Sequence, residues 1–124
     1  MAATGEKSIF SMIVDREIPA DIVFESERVI AFTDIAPKAP VHLLVVPKKA
    51  EYQNVAQLAA GDPALLAEVV AVCQKLADER TGGHYRLIFN TGERSGQTVY
   101  HVHAHVLGAK PGEQGLTEGS LGFE

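Results

Sequence analysis

Near the C-terminal end, the chain interleaves His101, His103 and His105 with Val102, Ala104 and Val106. Residues two apart in an extended strand point to the same face. The spacing therefore predicts a strand over Val99–Leu107, with three imidazoles on one side and apolar side chains entering a core on the other. Histidine is an uncommon residue and no fold requires such a stripe, so the three in register point to chemistry.

The rest of the chain describes the domain that carries this strand. At 124 residues it is one domain, and a chain of that size buries roughly two-thirds of its unfolded surface without a disulfide or structural metal. Cys73 is the sole cysteine, which excludes an intramolecular disulfide and cysteine-rich zinc sites. The net charge of −5 argues against a general nucleic-acid or anionic-membrane binder, so a phosphate must be gripped by local donors. No apolar run is long enough to span a bilayer, and Met1–Phe10 lacks the apolar stretch of a signal peptide. A reducing, cytoplasmic setting is the expectation.

Local patterns predict the elements in order. Residues 1–8 read as a flexible start. Ile9, Phe10, Ile13 and Val14 recur at helical spacing before Ile18-Pro19. Asp21–Glu25 and Val29–Thr33 read as strands joined through Ser26-Glu27-Arg28, and His42–Val46 as a buried strand closed by Pro47. Asp62-Pro63 opens the clearest helix, with aspartate as cap and proline at the first helical position. Leu65, Leu66, Val69, Val70, Cys73, Leu76 and Ala77 form its stripe, and Arg80 with Gly82-Gly83 ends it. Tyr85–Phe89 and Val99–Leu107 follow as strands across a glycine-rich connection, and residues 109–124 read as an irregular tail. The order predicts an α+β fold: an antiparallel sheet of about five strands with one long and one short helix.

Two chemistries suit the histidine stripe. One is a metal site, although same-face residues about 6.6 Å apart do not readily converge on one ion from a single strand, so His42 would have to join them. The other is phosphoryl chemistry without metal: one neutral imidazole attacks, a second donates a proton, and neighbours hold the two in different protonation states.

Tyr100-His101-Val102-His103-Ala104-His105-Val106-Leu107-Gly108 resembles the His-φ-His-φ-His-φ-φ signature of the histidine triad family, and more widely its Hint-like branch of purine nucleoside phosphoramidases. The resemblance spans residues 9–108. It takes in Glu17-Ile18-Pro19-Ala20, Asp34-Ile35 with Ala39-Pro40, His42–Lys49 and Gly96–His101. It implies a homodimeric hydrolase of AMP-type phosphoramidates or acyl-nucleotidates, with neither metal nor other cofactor and no nucleic-acid or membrane partner. By the same resemblance His103 is the nucleophile, giving a nucleotidyl-histidine intermediate, and His105 bonds the phosphate and helps protonate the leaving group. His101 and His42 complete and orient the cluster. Asn90 and the Gly96 turn match phosphate-side contacts, and Thr98, where the family usually has serine, keeps a hydroxyl near the leaving group. Asp34 matches the ribose ligand, while Phe10, Ile18, Phe32, Ile35 and Leu44 match the purine enclosure; simple core packing is the competing reading of those five.

Other features carry less. Gly92–Thr98 lacks the lysine and spacing of a P-loop. Cys73 falls on the helix stripe and reads as packing, and His84 and Lys48-Lys49 read as surface. The chain also lacks the Trp-Pro-Pro-Gly end of animal relatives, so its leaving-group preference is open. A Fhit-like dinucleoside polyphosphate hydrolase and a non-catalytic nucleotide-binding or scaffold protein stand as alternatives.

Overall fold

The computed structural model describes residues 7–116; the expectations for residues 1–6 and 117–124 lie outside them. The elements run α1 (Ile9–Val14), β1 (Ile22–Glu25), β2 (Val29–Thr33), β3 (Val41–Pro47), α2 (Val55–Gly61), α3 (Pro63–Arg80), β4 (Arg86–Ile88), a 3-10 turn at Glu93–Ser95, and β5 (Ala104–Gly108). All neighbouring strands pair antiparallel in the order β1-β2-β3-β5-β4.

The α+β class and five-stranded sheet match the sequence reading, and the long helix begins as its cap dictates. Asp62 accepts from the Leu65 amide at 3.0 Å, and Pro63 occupies the first turn, where no intrahelical donor is needed. The helix stops where glycine can adopt the left-handed conformation: Gly82 and Gly83 have φ of 67° and 87°, and the Gly83 amide returns to the Ala77 carbonyl. Its buried stripe is Leu65, Val69, Val72, Cys73, Leu76 and Ala77; Leu66 and Val70, expected in the stripe, are only half-buried.

Among the described residues three α-helices are present rather than two. The additional one, α2, has a single buried side chain, Leu58, and so leaves no periodic stripe to read. Polar groups start it. Asn54 accepts from the Gln57 amide at 2.9 Å while the Gln57 side chain accepts from the Gln53 amide at 2.8 Å, a near relative of the capping box. At its end Gly61 lies under Tyr52, where any Cβ would come within 2.4 Å of the ring.

The two sheet faces are unlike. Val29, Ala31, Val41, Leu43, Val45, Val102, Ala104 and Val106 form one apolar core with Leu58 and the α3 stripe. On the other face α1 supplies Phe10 and Ile13 to a smaller cluster with Ile30, Phe32, Leu44 and Val46. The histidine stripe lies on this second side.

The strand expected over Val99–Leu107 pairs only from Ala104 onward. The cause is Pro47, which has no N–H to extend the ladder beyond the Val45–Ala104 pair. Beyond that point the Val102 amide bonds the Tyr52 carbonyl at 2.9 Å instead. Segment 101–103 therefore keeps the alternation of faces but leaves the ladder. Likewise β4 covers only Arg86–Ile88 of the expected Tyr85–Phe89.

Truncating Leu58→Ala is expected to lower unfolding free energy by about 2–5 kcal/mol in urea titrations, since the side chain is fully buried between α3 and the sheet. Leu66→Ala, half-buried, serves as the milder comparison.

Candidate active site

Three of the histidines are held by backbone groups that can only accept or only donate, and this assigns their protons. A carbonyl only accepts, so His103 Nδ1, 2.8 Å from the His101 carbonyl oxygen, carries the hydrogen and Nε2 of the neutral ring keeps a lone pair. By the same reasoning His101 Nε2, 2.7 Å from the Pro47 carbonyl oxygen, is the protonated nitrogen, and its Nδ1 accepts from the Ser8 hydroxyl at 2.7 Å. The Lys38 amide donates to His42 Nδ1 at 3.0 Å, which places the His42 hydrogen on Nε2. That nitrogen lies 3.0 Å from His105 Nδ1 and 3.4 Å from an Asp34 carboxylate oxygen. His42 thus donates to His105 Nδ1, and the neutral His105 carries its own hydrogen on Nε2.

The rings form a continuous row. His103 and His105 meet edge to face with centroids 5.1 Å apart, and His42 and His105 lie at 5.2 Å. Phe10 packs edge-on against His103 at 4.8 Å and His101 at 5.9 Å. Burial is the largest influence on all four and holds each below the ordinary 6.5; His105, further repelled by His103 and His42, falls to about 4. Hydrogen bonds to carbonyls partly oppose burial at His101 and His103, as does the Asp34 charge at His42. At neutral pH the cluster is therefore an uncharged set of imidazoles, with one nitrogen lone pair on His103 and one N–H on His105.

Asp34, His42 and His105 bring three potential metal-ligating atoms within 4.8 Å of one another. To bind an ion through Nε2, a neutral His42 would move its hydrogen to Nδ1, directly against the Lys38 amide N–H. The backbone thus sets His42 Nε2 as a donor and works against coordination there.

The other sequence candidates divide. Asp34 reaches the cluster and also accepts from the Ala36 amide at 2.8 Å, fixing its turn. Phe10, Phe32 and Leu44 are buried in the α1-side cluster, where core packing accounts for their position, although Phe10 also shields the rings. Leu44 stands beside His105 in the β3–β5 register and beside Phe32 in the β2–β3 register, so one cross-strand row links packing to the site. Ile18 is half-buried against that cluster, whereas Ile35, next to Asp34, is 93% exposed. Asn90, Gly96 and Thr98 lie on the connection between β4 and the histidine segment, and Gly96 takes a left-handed φ of 98°. Cys73 is buried, with burial pushing its thiol up to about 12, and His84 is exposed.

Four supports were not assigned from sequence. Ser8, placed in the irregular start, is the N-cap of α1 and the partner of His101. Gln97 is buried, donates to the Gln53 and Val99 carbonyls, and accepts from the Gly92 amide at 2.8 Å, which pins the loop bearing Gly96 and Thr98. The remaining two are the Pro47 carbonyl and the Lys38 amide, backbone groups that no side-chain pattern reports.

An α+β domain with three alternating histidines and a fourth on the adjacent strand defines a recognisable class. Residues 7–118 match the family described as scavenger mRNA decapping enzyme C-term binding. The chain is 42% identical to the purine nucleoside phosphoramidase of Escherichia coli K12, over 86% of this chain and 91% of that protein. An uncharacterised HIT-like protein of Synechococcus elongatus is 46% identical, over 86% and 93% of the two chains. A HIT family hydrolase from Legionella pneumophila superposes with a TM-score of 0.78 at 41% identity, covering 87% of this chain and 95% of that one. The chain belongs to the histidine triad (HIT) family and has the family's fold. Among the described residues no helix is long and apolar enough to cross a membrane.

The buried neutral rings also set a pH dependence of stability. In the folded chain these histidines titrate below 6.5, near which they titrate when unfolded, so between those values the unfolded state binds more protons. Their contribution is complete above about pH 6.5 and is lost as pH falls toward 4. Thermal melts are expected to show Tm dropping across that interval, less steeply in His105→Gln; a flat profile would contradict the burial-driven shifts.

Proposed function

We propose that this protein hydrolyses purine nucleoside phosphoramidates and acyl-nucleotidates of the AMP type through a nucleotidyl intermediate on His103. One observation carries the reading: the His101 carbonyl holds the His103 hydrogen on Nδ1, so a buried, uncharged ring offers Nε2 as a lone pair beside His105. The 42% identity to a named purine nucleoside phosphoramidase supports the choice of P–N bond.

The steps balance. With the phosphoryl anion bound, the His105 ring takes up a proton from solvent. His103 Nε2 attacks phosphorus, the P–N bond breaks, and the leaving amine takes the proton from His105 Nε2, which returns that ring to neutral. While His105 carries that extra proton on Nδ1, the His42 Nε2–H turns to the Asp34 carboxylate 3.4 Å away. A water then attacks phosphorus, breaks the P–Nε2 bond and returns its proton to His105, releasing the nucleoside monophosphate. An anionic phosphoryl group offsets the repulsion that depresses His105 in the empty site, which is why proton donation accompanies substrate binding.

Asp34 is suited to accept from ribose hydroxyls with its remaining lone pairs. Exposed Ile35 and half-buried Ile18 supply apolar surface for the base, over the more deeply packed Phe10, Phe32 and Leu44. Asn90, the Gly96 turn and Thr98 complete the phosphate side. A homodimer fits β4, which among the described residues is a short edge strand paired with β5 and leaves Leu87 partly exposed.

The test is hydrolysis of adenosine 5′-phosphoramidate by wild type and His103→Ala, with and without chelator, with a diadenosine polyphosphate assayed in parallel. Turnover is expected to survive chelation and to fall at least about a thousandfold in the variant while its fold, checked by circular dichroism, persists. Preference for the polyphosphate would replace the substrate assignment, and a fully active variant would overturn the His103 mechanism.

A further inference from the structure

The hydrogen bonds that fix His103 do not end at His101. His101 gives its Nε2 hydrogen to the Pro47 carbonyl and receives, at Nδ1, the hydroxyl of Ser8 at 2.7 Å. Ser8 Oγ in turn accepts from the Ser11 amide at 2.9 Å as the N-cap of α1. The Ser11 hydroxyl lies 3.2 Å away, farther than the ring nitrogen at 2.7 Å, so the Ser8 hydrogen serves the ring. The Ser11 hydroxyl stands 3.5 Å from the same nitrogen, a distant second donor. The His101 ring is completely buried and clamped at both nitrogens, between the start of α1 and the end of β3. Two residues beyond Ser8, Phe10 presses its ring against both His101 and His103. The first turn of α1 thus touches the reacting row at two points.

We propose that Ser8 is a positioning residue for the nucleophile: its hydroxyl fixes the His101 ring in the Nε2–H tautomer, and the His101 carbonyl so placed holds the hydrogen of His103 on Nδ1. This deepens the reaction proposed above and rests on it for its kinetic consequences. The two roles of Ser8 differ in what they demand. Capping needs only an oxygen that accepts, which aspartate provides as well as serine. The contact with His101 Nδ1 needs a donor, which a carboxylate is not. A carboxylate at this position draws a second proton onto His101. The resulting imidazolium sits next to His103, the adjacent titratable ring, and opposes the positive charge that His103 develops as Nε2 bonds phosphorus.

Wild type, Ser8→Thr, Ser8→Ala and Ser8→Asp are compared by kcat and KM for adenosine 5′-phosphoramidate, and by nitrogen-15 ring signals of His101 at neutral pH. Ser8→Ala is expected to lose about tenfold in kcat with KM little changed, as for one buried hydrogen bond. Ser8→Thr restores most of that rate, whereas Ser8→Asp loses more than Ser8→Ala although it caps α1. The ring signals are expected to show His101 neutral with an accepting Nδ1 in wild type, a displaced Nδ1 signal in Ser8→Ala, and a doubly protonated ring in Ser8→Asp. Equal kcat for wild type and Ser8→Asp would reduce Ser8 to a cap and overturn the proposal. So would His101 signals that do not move across the series, whatever the activity. Wild type without phosphoramidase turnover would remove the reaction reading, while the ring signals still decide the role of Ser8.

Discussion

The bond from His103 Nδ1–H to the carbonyl of His101 is the constraint on which the site depends, and it exists because the chain leaves the sheet at that point. Within a paired strand, the His101 carbonyl would be directed to a neighbour. Pro47 withholds the donor that would continue the ladder, and the Val102 amide turns to Tyr52. The carbonyl of His101, beyond the last β4 pair at Ile88–His105, accepts from a side chain two residues on, and the Pro47 carbonyl accepts from the ring of His101.

The sheet divides its labour between faces. On one, α2 and α3 close over branched aliphatic side chains, giving strands β3 and β5 a fixed register. On the other, Phe10, Phe32 and Leu44 exclude water from around the rings without supplying charge. That environment keeps the four histidines neutral, at a stability cost below pH 6.5 that the apolar core on the opposite face offsets. In the proposed reaction the charge missing from the empty cluster arrives with the phosphoryl group, so donation from His105 is tied to occupancy.

Much of this was legible from residues alone. The alternation at 101–106 placed the imidazoles on one side, and Asp62-Pro63 located the start of the long helix because cap and ring act within a single turn. The second short helix escaped because only Leu58 of it is buried, too little for a periodicity. The extent of the last strand was overestimated because side-chain alternation survives where hydrogen-bond pairing does not. Phe10, Phe32 and Leu44 illustrate a different limit: apolar residues beside a site pack and line it with the same chemistry. The donors and acceptors that assign the protons include the backbone of Lys38 and Pro47, and these have no signature in residue type.

The most direct test of the central claim is a neutron diffraction structure of the ligand-free protein at pH 7, in which the hydrogens on the four imidazoles are seen. The expected pattern is His103 with hydrogen on Nδ1 alone and His101, His42 and His105 with hydrogen on Nε2 alone. A hydrogen on Nε2 of His103, whether the ring is neutral or charged, would contradict it, because the nitrogen assigned to attack phosphorus would then hold no lone pair.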